Sequence, residues 1–253
     1  MDSKKRIIRH IPNGITLLNL FSGSLSIVAA FEGRLELAGL LVIVSGLLDF
    51  LDGFTARLIG VYTQLGKELD SLSDVVSFGV APAVVLFHLL RKSLGIDSCH
   101  GIFDGHIILA VPFLVAVFSS LRLGLFNIDE RQTSSFIGLP TPANAFLIVG
   151  LVFGANSNWT AIYNPIVNSP TVLIILSFVL PFLLVCELPM FSLKIKSLKP
   201  AVAYKQLTFL AGALAFIVVF GKASLSIIIV WYIILSFVYF LREKLIKKEY
   251  RNG

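Results

Sequence analysis

A chain of 253 residues with 56% hydrophobic and only 14% charged positions, and a mean hydropathy of +0.88, is not a water-soluble domain, where about 25% charged residues is usual. The net charge of +6 and pI near 9.4 come from lysines and arginines in short islands between apolar runs, the pattern of helices flanked on the cytoplasmic side of a membrane. No soluble basic domain is present to hold nucleic acid, which excludes that partner.

The expected fold is all-α: a polytopic transmembrane helical bundle, one integral-membrane domain over residues 1–253. A helix needs about 20 apolar residues to cross the hydrocarbon. By that rule about eight spans are predicted, at roughly 12–31, 35–58, 70–91, 105–126, 140–155, 170–190, 203–220 and 223–241. The first follows MDSKKRIIRHIPN and is too long for a signal-peptide core, so it is expected to remain as an uncleaved helix. Aspartates interrupt the hydropathy between the second and third spans, in DFLDGFTARLIGVYTQLGKELDSLSD, Asp49 to Asp74. Pro140 and Pro142 bound the short fifth. Cys99 and Cys186 have no metal-ligand spacing. His10, His88, His100 and His106 are scattered and are expected to be structural or solvated.

Basic residues set the orientation. Lys4, Lys5, Arg6 and Arg9 precede the first span. Lys194, Lys196, Lys199 and Lys205 lie between the sixth and seventh, and Arg242, Lys244, Lys247, Lys248 and Arg251 follow the last. An even number of spans puts all of them on one side, which the positive-inside rule makes cytoplasmic. Both termini are then cytoplasmic. So are the end of span two, with Asp49 and Asp52, and the start of span three, with Asp70 and Asp74. The short connector makes residues about 35–91 a helical hairpin that brings these acids to a similar depth.

At about 100° per residue, Asp49, Asp52, Gly53, Ala56 and Arg57 share one face of span two, with Phe50, Leu51, Phe54 and Leu58 opposite. On span three Asp70, Ser73, Asp74, Ser77 and Ala81 form a stripe, with Leu72, Val75 and Val76 turned away. An ionised carboxylate at hydrocarbon depth costs roughly 2.5–3.5 kcal/mol even on insertion scales, and four converging ones repel. A divalent cation offsets both penalties. Oxygen ligands without histidine or cysteine point to Mg²⁺ or Mn²⁺, and four carboxylates suffice for two metals sharing ligands, the arrangement used in phosphoryl displacement. Gly53, Ala56 and Gly66 leave room for a phosphate or nucleotide, and Arg57 suits a phosphate oxygen. A cation- or proton-coupled transporter is the alternative class, but no acids continue through the other spans and no inverted repeat is apparent.

These residues carry a family resemblance. Asp49-x2-Asp52-Gly53-x2-Ala56-Arg57-x8-Gly66-x3-Asp70-x3-Asp74 is similar to the complete signature of the CDP-alcohol phosphatidyltransferases. The resemblance implies a helical membrane enzyme with two divalent cations, Mg²⁺ or Mn²⁺, at the cytoplasmic face of the bacterial inner membrane. It implies transfer of a phosphatidyl group from CDP-diacylglycerol to an alcohol, with release of CMP. It makes Asp49, Asp52, Asp70 and Asp74 metal ligands, with Asp74 also the general base. Gly53, Ala56, Arg57 and Gly66 would border the CDP moiety, with Thr63 in the connector. Asn13 and Thr16 match the family's Pro-Asn-x-x-Thr element after Pro12. A homodimer is compatible with the resemblance, although no dimer surface can be read from the sequence.

The signature does not name the alcohol. The segments Ser77 to Pro82, Phe136 to Pro142 and Arg122 to Asn127 are similar to those of the serine-using, membrane-integral bacterial branch of the family. They imply L-serine as acceptor, with Arg122, Asn127 and Ser77 as acceptor-binding candidates. One departure is Leu125, where those relatives often carry a second arginine. Glycerol 3-phosphate and inositol are the alternative acceptors for the same chemistry.

Overall fold

The computed structural model describes residues 10–60, 63–97, 100–128, 136–191 and 200–252. The basic residues Lys4, Lys5, Arg6, Arg9, Lys194, Lys196 and Lys199, together with Cys99, lie outside them, as do the side chains of Lys247, Lys248 and Arg251.

Helix α1 (Ile11–Phe31) opens with Pro12 in its first turn, where a missing N–H costs nothing. After a three-residue turn through Gly33 at φ +76°, α2 runs Leu35–Ile59 and stops at Gly60 in the left-handed region. Thr63 then caps α3 (Gln64–Ser93) by accepting from the Gly66 N–H at 2.9 Å. This third span starts six residues before the expected 70, because its first turns are polar and hydropathy does not mark them. Within it, Val75–Val80 forms a wider, π-helical turn. The extra residue in that circuit keeps positions four apart, Ser73, Ser77 and Ala81, on one line. Helix α3 is the centre of the bundle, and every residue from Ala81 to Leu90 is buried.

Helix α4 (Ile107–Ile128) begins as a 3₁₀ segment around Pro112. Helices α5 (Thr141–Ala155) and α6 (Thr160–Val167) meet at a bend of 119°, so the fifth expected span is one limb of a broken helix. Helix α7 (Pro170–Val185) has only 16 residues, short of the expected 170–190. Beyond it the chain turns to pair β2 (Pro189–Met190) antiparallel with β1 (Phe136–Ile137). Among the described residues five stretches are long and apolar enough to cross a membrane, six if the bent pair counts as one span. The last stretch, Tyr204–Arg242, folds back at Gly221 (φ +53°) into α8 (Pro200–Phe220) and α9 (Ser224–Asn252). Ring pairs Tyr204–Tyr239, Phe209–Tyr232 and Phe216–Trp231 show that the two are antiparallel. The seventh and eighth expected spans are thus this hairpin.

The bundle has two distinct ends. At one, Lys222 on the α8–α9 turn bonds Glu36 of α2 at 2.8 Å, and Phe31 packs edge-on against buried His88. At the other lie the β1–β2 pair and all four aspartates of the signature. Phe21, Leu47, Phe50, Leu58 and Val218 are exposed, as lipid-facing side chains of a membrane protein are.

Candidate active site

The face of α1 that meets α2 and α3 is made of small and polar residues: Pro12, Thr16, Asn19, Gly23 and Ser26, alternately four and three apart, are all buried. Small residues let backbones approach closely in a membrane protein, and serines tie them by hydrogen bonds. Ser26 donates to the Ala38 carbonyl and Ser22 to that of Leu41, both at 2.8 Å. The Asn19 carbonyl accepts from Ser45 of α2 at 3.2 Å and Ser77 of α3 at 3.1 Å, joining three helices at one oxygen. Ser73 donates to the Thr16 carbonyl at 3.2 Å. This clamp sets the positions of the aspartates.

One carboxylate oxygen from each of Asp49, Asp70 and Asp74 lies within 4.8 Å of the other two. Oxygens bound to a single divalent ion at about 2.0–2.6 Å are separated by no more than about twice that length, so the three have the spacing of ligands to one centre. Asp49 and Asp70 approach to hydrogen-bonding distance. Two ionised carboxylates so close repel by several kcal/mol in a partly buried setting, and a shared cation reverses the sign. The donor set is oxygen only and suits Mg²⁺ or Mn²⁺. Asp52 stands outside this trio. It is buried, its Oδ2 accepts from the Thr16 hydroxyl at 2.6 Å, and it remains within electrostatic reach of the other three.

A cavity of about 560 Å³ opens beside the acids. Asn13, Thr16, Asp52, Gly53, Ala56, Arg57, Thr63, Gly66 and Asp70 all line it, as the signature leads one to expect. Gly53 has no heavy atom within 4 Å of where a side chain would begin, so its missing Cβ is open space in the cavity. Gly66 is held by Asn13 and Thr63, whose oxygens would stand 3.0 Å from an added Cβ. The helical phase is as read from the sequence: Phe50, Leu51, Phe54, Leu58 and Leu72 point outward, while Ser73, Asp74 and Ser77 are buried. Val75 and Val76 are half-buried in the wide turn rather than turned away.

The remaining candidates divide. Arg122 is buried beside the site, donates from Nη1 to the Thr141 hydroxyl at 3.2 Å, and lies within electrostatic reach of Asp74. Ser77 is fully buried and its hydroxyl is engaged by the Asn19 carbonyl, so it sits in the helix clamp and not in the cavity. Asn127 ties the end of α4 to α3 by donating to the Ser71 hydroxyl at 2.8 Å. Three residues escaped the sequence reading. Gln64 and Lys67 also line the cavity. Buried Asn19 directs its amide nitrogen at Asp74 Oδ1, 3.5 Å away. The four-and-three spacing along α1 was the signal for Asn19.

A family model described as CDP-alcohol phosphatidyltransferase matches residues 9–185, which hold α1 to α7 and the whole site. The chain belongs to that family. Among similar proteins, a CDP-diacylglycerol–serine O-phosphatidyltransferase of Helicobacter pylori (strain J99) is 39% identical over 140 residues, 54% of this chain and 55% of that one. One of the same description from Methanocaldococcus jannaschii is 38% identical over 158 residues, covering 62% of this chain and 67% of its own length. A third, from Bacillus subtilis, is 33% identical over 149 residues, 59% of this chain and 78% of that one. The chain thus spans about half the length of the Helicobacter relative.

Proposed function

We propose that this phosphatidyltransferase moves the phosphatidyl group of CDP-diacylglycerol to L-serine, giving phosphatidylserine and CMP. The observation that carries the reading is the placement of the Asp49–Asp70–Asp74 trio at the edge of the cavity that the rest of the signature lines. The names of the similar proteins support serine as the alcohol.

In this reading the cavity takes the CDP moiety, with Gly53 and Ala56 admitting it and Arg57 and Lys67 offering cations to its phosphates. Asp49, Asp52, Asp70 and Asp74 would hold two divalent ions, Mg²⁺ or Mn²⁺. Bound there, such ions neutralise the pyrophosphate and the leaving phosphate. Asp74 accepts the proton of the serine hydroxyl as its oxygen attacks the phosphatidyl phosphorus. The bond from that phosphorus to the CMP oxygen breaks, and CMP leaves with the electron pair. Thr16 orients Asp52 and Asn19 orients Asp74. We place the carboxylate end at the cytoplasmic face of a bacterial inner membrane, because Arg242 and Lys244 lie on the last turns of α9 beyond its apolar stretch, at that end.

The test supplies purified protein with CDP-diacylglycerol, Mn²⁺ or Mg²⁺, and L-serine, glycerol 3-phosphate or inositol, and follows CMP. Metal-dependent release with serine is expected, abolished by chelation. Release only with another alcohol rejects serine, and no release with any acceptor rejects the transferase.

A further inference from the structure

Around Arg122, which lies within electrostatic reach of Asp74, the structure leaves several deeply buried polar groups without partners among the described residues. Asn144 on α5 is wholly buried, and neither its amide nitrogen nor its carbonyl oxygen is hydrogen-bonded. It follows Thr141 by three positions, so the two share a helix face. Thr141 receives the Arg122 Nη1–H, while Arg122 Nε, also buried, has no acceptor. Ser119, three positions before Arg122 on α4, has a buried hydroxyl without a partner. Each unmet buried group costs about 1–3 kcal/mol. A fold that leaves both ends of one amide and a guanidinium edge unmet, on a cation within electrostatic reach of Asp74, has the makings of a binding layer for a polar molecule.

We propose that Arg122, Thr141 and Asn144 form the acceptor pocket and that Asn144 makes it selective for a zwitterionic α-amino acid, an inference that rests on serine being the acceptor. The Arg122 Nε edge suits a carboxylate. The Asn144 amide supplies what a lone cation lacks: a donor for the same carboxylate and an acceptor for an ammonium. A phosphate-bearing alcohol would satisfy Arg122 but bring no ammonium to the Asn144 oxygen. The pocket therefore reads both charges of the amino acid while its hydroxyl faces Asp74.

The experiment measures CMP release by the purified full chain with CDP-diacylglycerol and Mn²⁺ against L-serine concentration. Asn144→Leu keeps the side-chain size, and Asn144→Ser is a smaller polar second variant in case the first does not fold. The expected result is a serine KM raised about tenfold or more, because a site built to hydrogen-bond discriminates strongly once the bonds are lost, with the KM for CDP-diacylglycerol unchanged. Asn144→Leu should also keep or raise the thermal midpoint, since an apolar side chain leaves no polar group unmet. The parent should not use 2-aminoethanol, which lacks the carboxylate, or 3-hydroxypropionate, which lacks the ammonium. A folded Asn144 variant whose serine KM stays within about twofold of the parent overturns the pocket alone. A parent that releases CMP with another alcohol and not with serine overturns the acceptor reading and this pocket's ligand together.

Discussion

Gly23→Ala tests whether the helix clamp holds the carboxylates in place. A Cβ at Gly23 would stand 2.8 Å from the Ser77 Cα and closer still to the Ser77 hydroxyl. Non-bonded carbons rest about 3.5–4.0 Å apart, so α1 and α3 must separate by about 1 Å. The obstacle includes backbone, and no change of rotamer removes it. Overpacking of this kind costs about 1–3 kcal/mol of stability. The larger effect is catalytic, because Asp74 lies one turn before Ser77 on α3 and moves with it, away from Asp49 on α2. A misplacement of about 1 Å lowers turnover by about a hundredfold. The assay is CMP release as a function of Mn²⁺ concentration, which should show both the lower rate and a higher Mn²⁺ requirement. Combining Gly23→Ala with Ser77→Gly should not restore activity, since the clash with the α3 backbone remains. Parent-like turnover and Mn²⁺ dependence in Gly23→Ala would refute the reasoning.

Asp74→Asn should lower turnover by about 10²–10⁴-fold, the contribution of a positioned base, while retaining substantial binding of CDP-diacylglycerol in an equilibrium assay. Near-normal turnover would remove Asp74 from that role. Thr16→Val deletes the 2.6 Å bond to Asp52; a hydrogen bond to a charged group contributes about 2 kcal/mol, so kcat/KM for CDP-diacylglycerol should fall about thirtyfold in steady-state kinetics. Lys222→Ala breaks an ion pair whose side chains are about half exposed, worth no more than about 1 kcal/mol. It should leave CMP release unchanged and shift the thermal midpoint only slightly.

Much of the site was legible because it obeys one period. The positions of Asp49, Asp52, Gly53 and Ala56 along an ideal helix place them on one face, and the folded chain keeps them there. Span limits were legible only where hydropathy changes sharply. The polar first turns of α3 hid its start at Gln64, and the polar run Asn156-Ser157-Asn158 marks the end of α5 without showing that a second limb follows at 119°. Asp52 shows another limit: helical phase put it with the other acids, but its carboxylate is drawn to Thr16 by a contact between helices. Asn144 was beyond reach for a related reason. Whether a buried amide finds partners depends on which helices surround it, and a single chain of letters does not say.

The three clustered carboxylates come from α2 and α3, which are neighbours in the chain, whereas Arg122, Thr141 and Asn144 come from α4 and α5. On the roles proposed above, cleavage of the donor and choice of the alcohol fall to separate lengths of polypeptide. Substitutions beyond about residue 100 can then retune the product without touching the diphosphate chemistry. A change of headgroup by this route would need a few exchanges on two helices, with the fold and the leaving group left as they are.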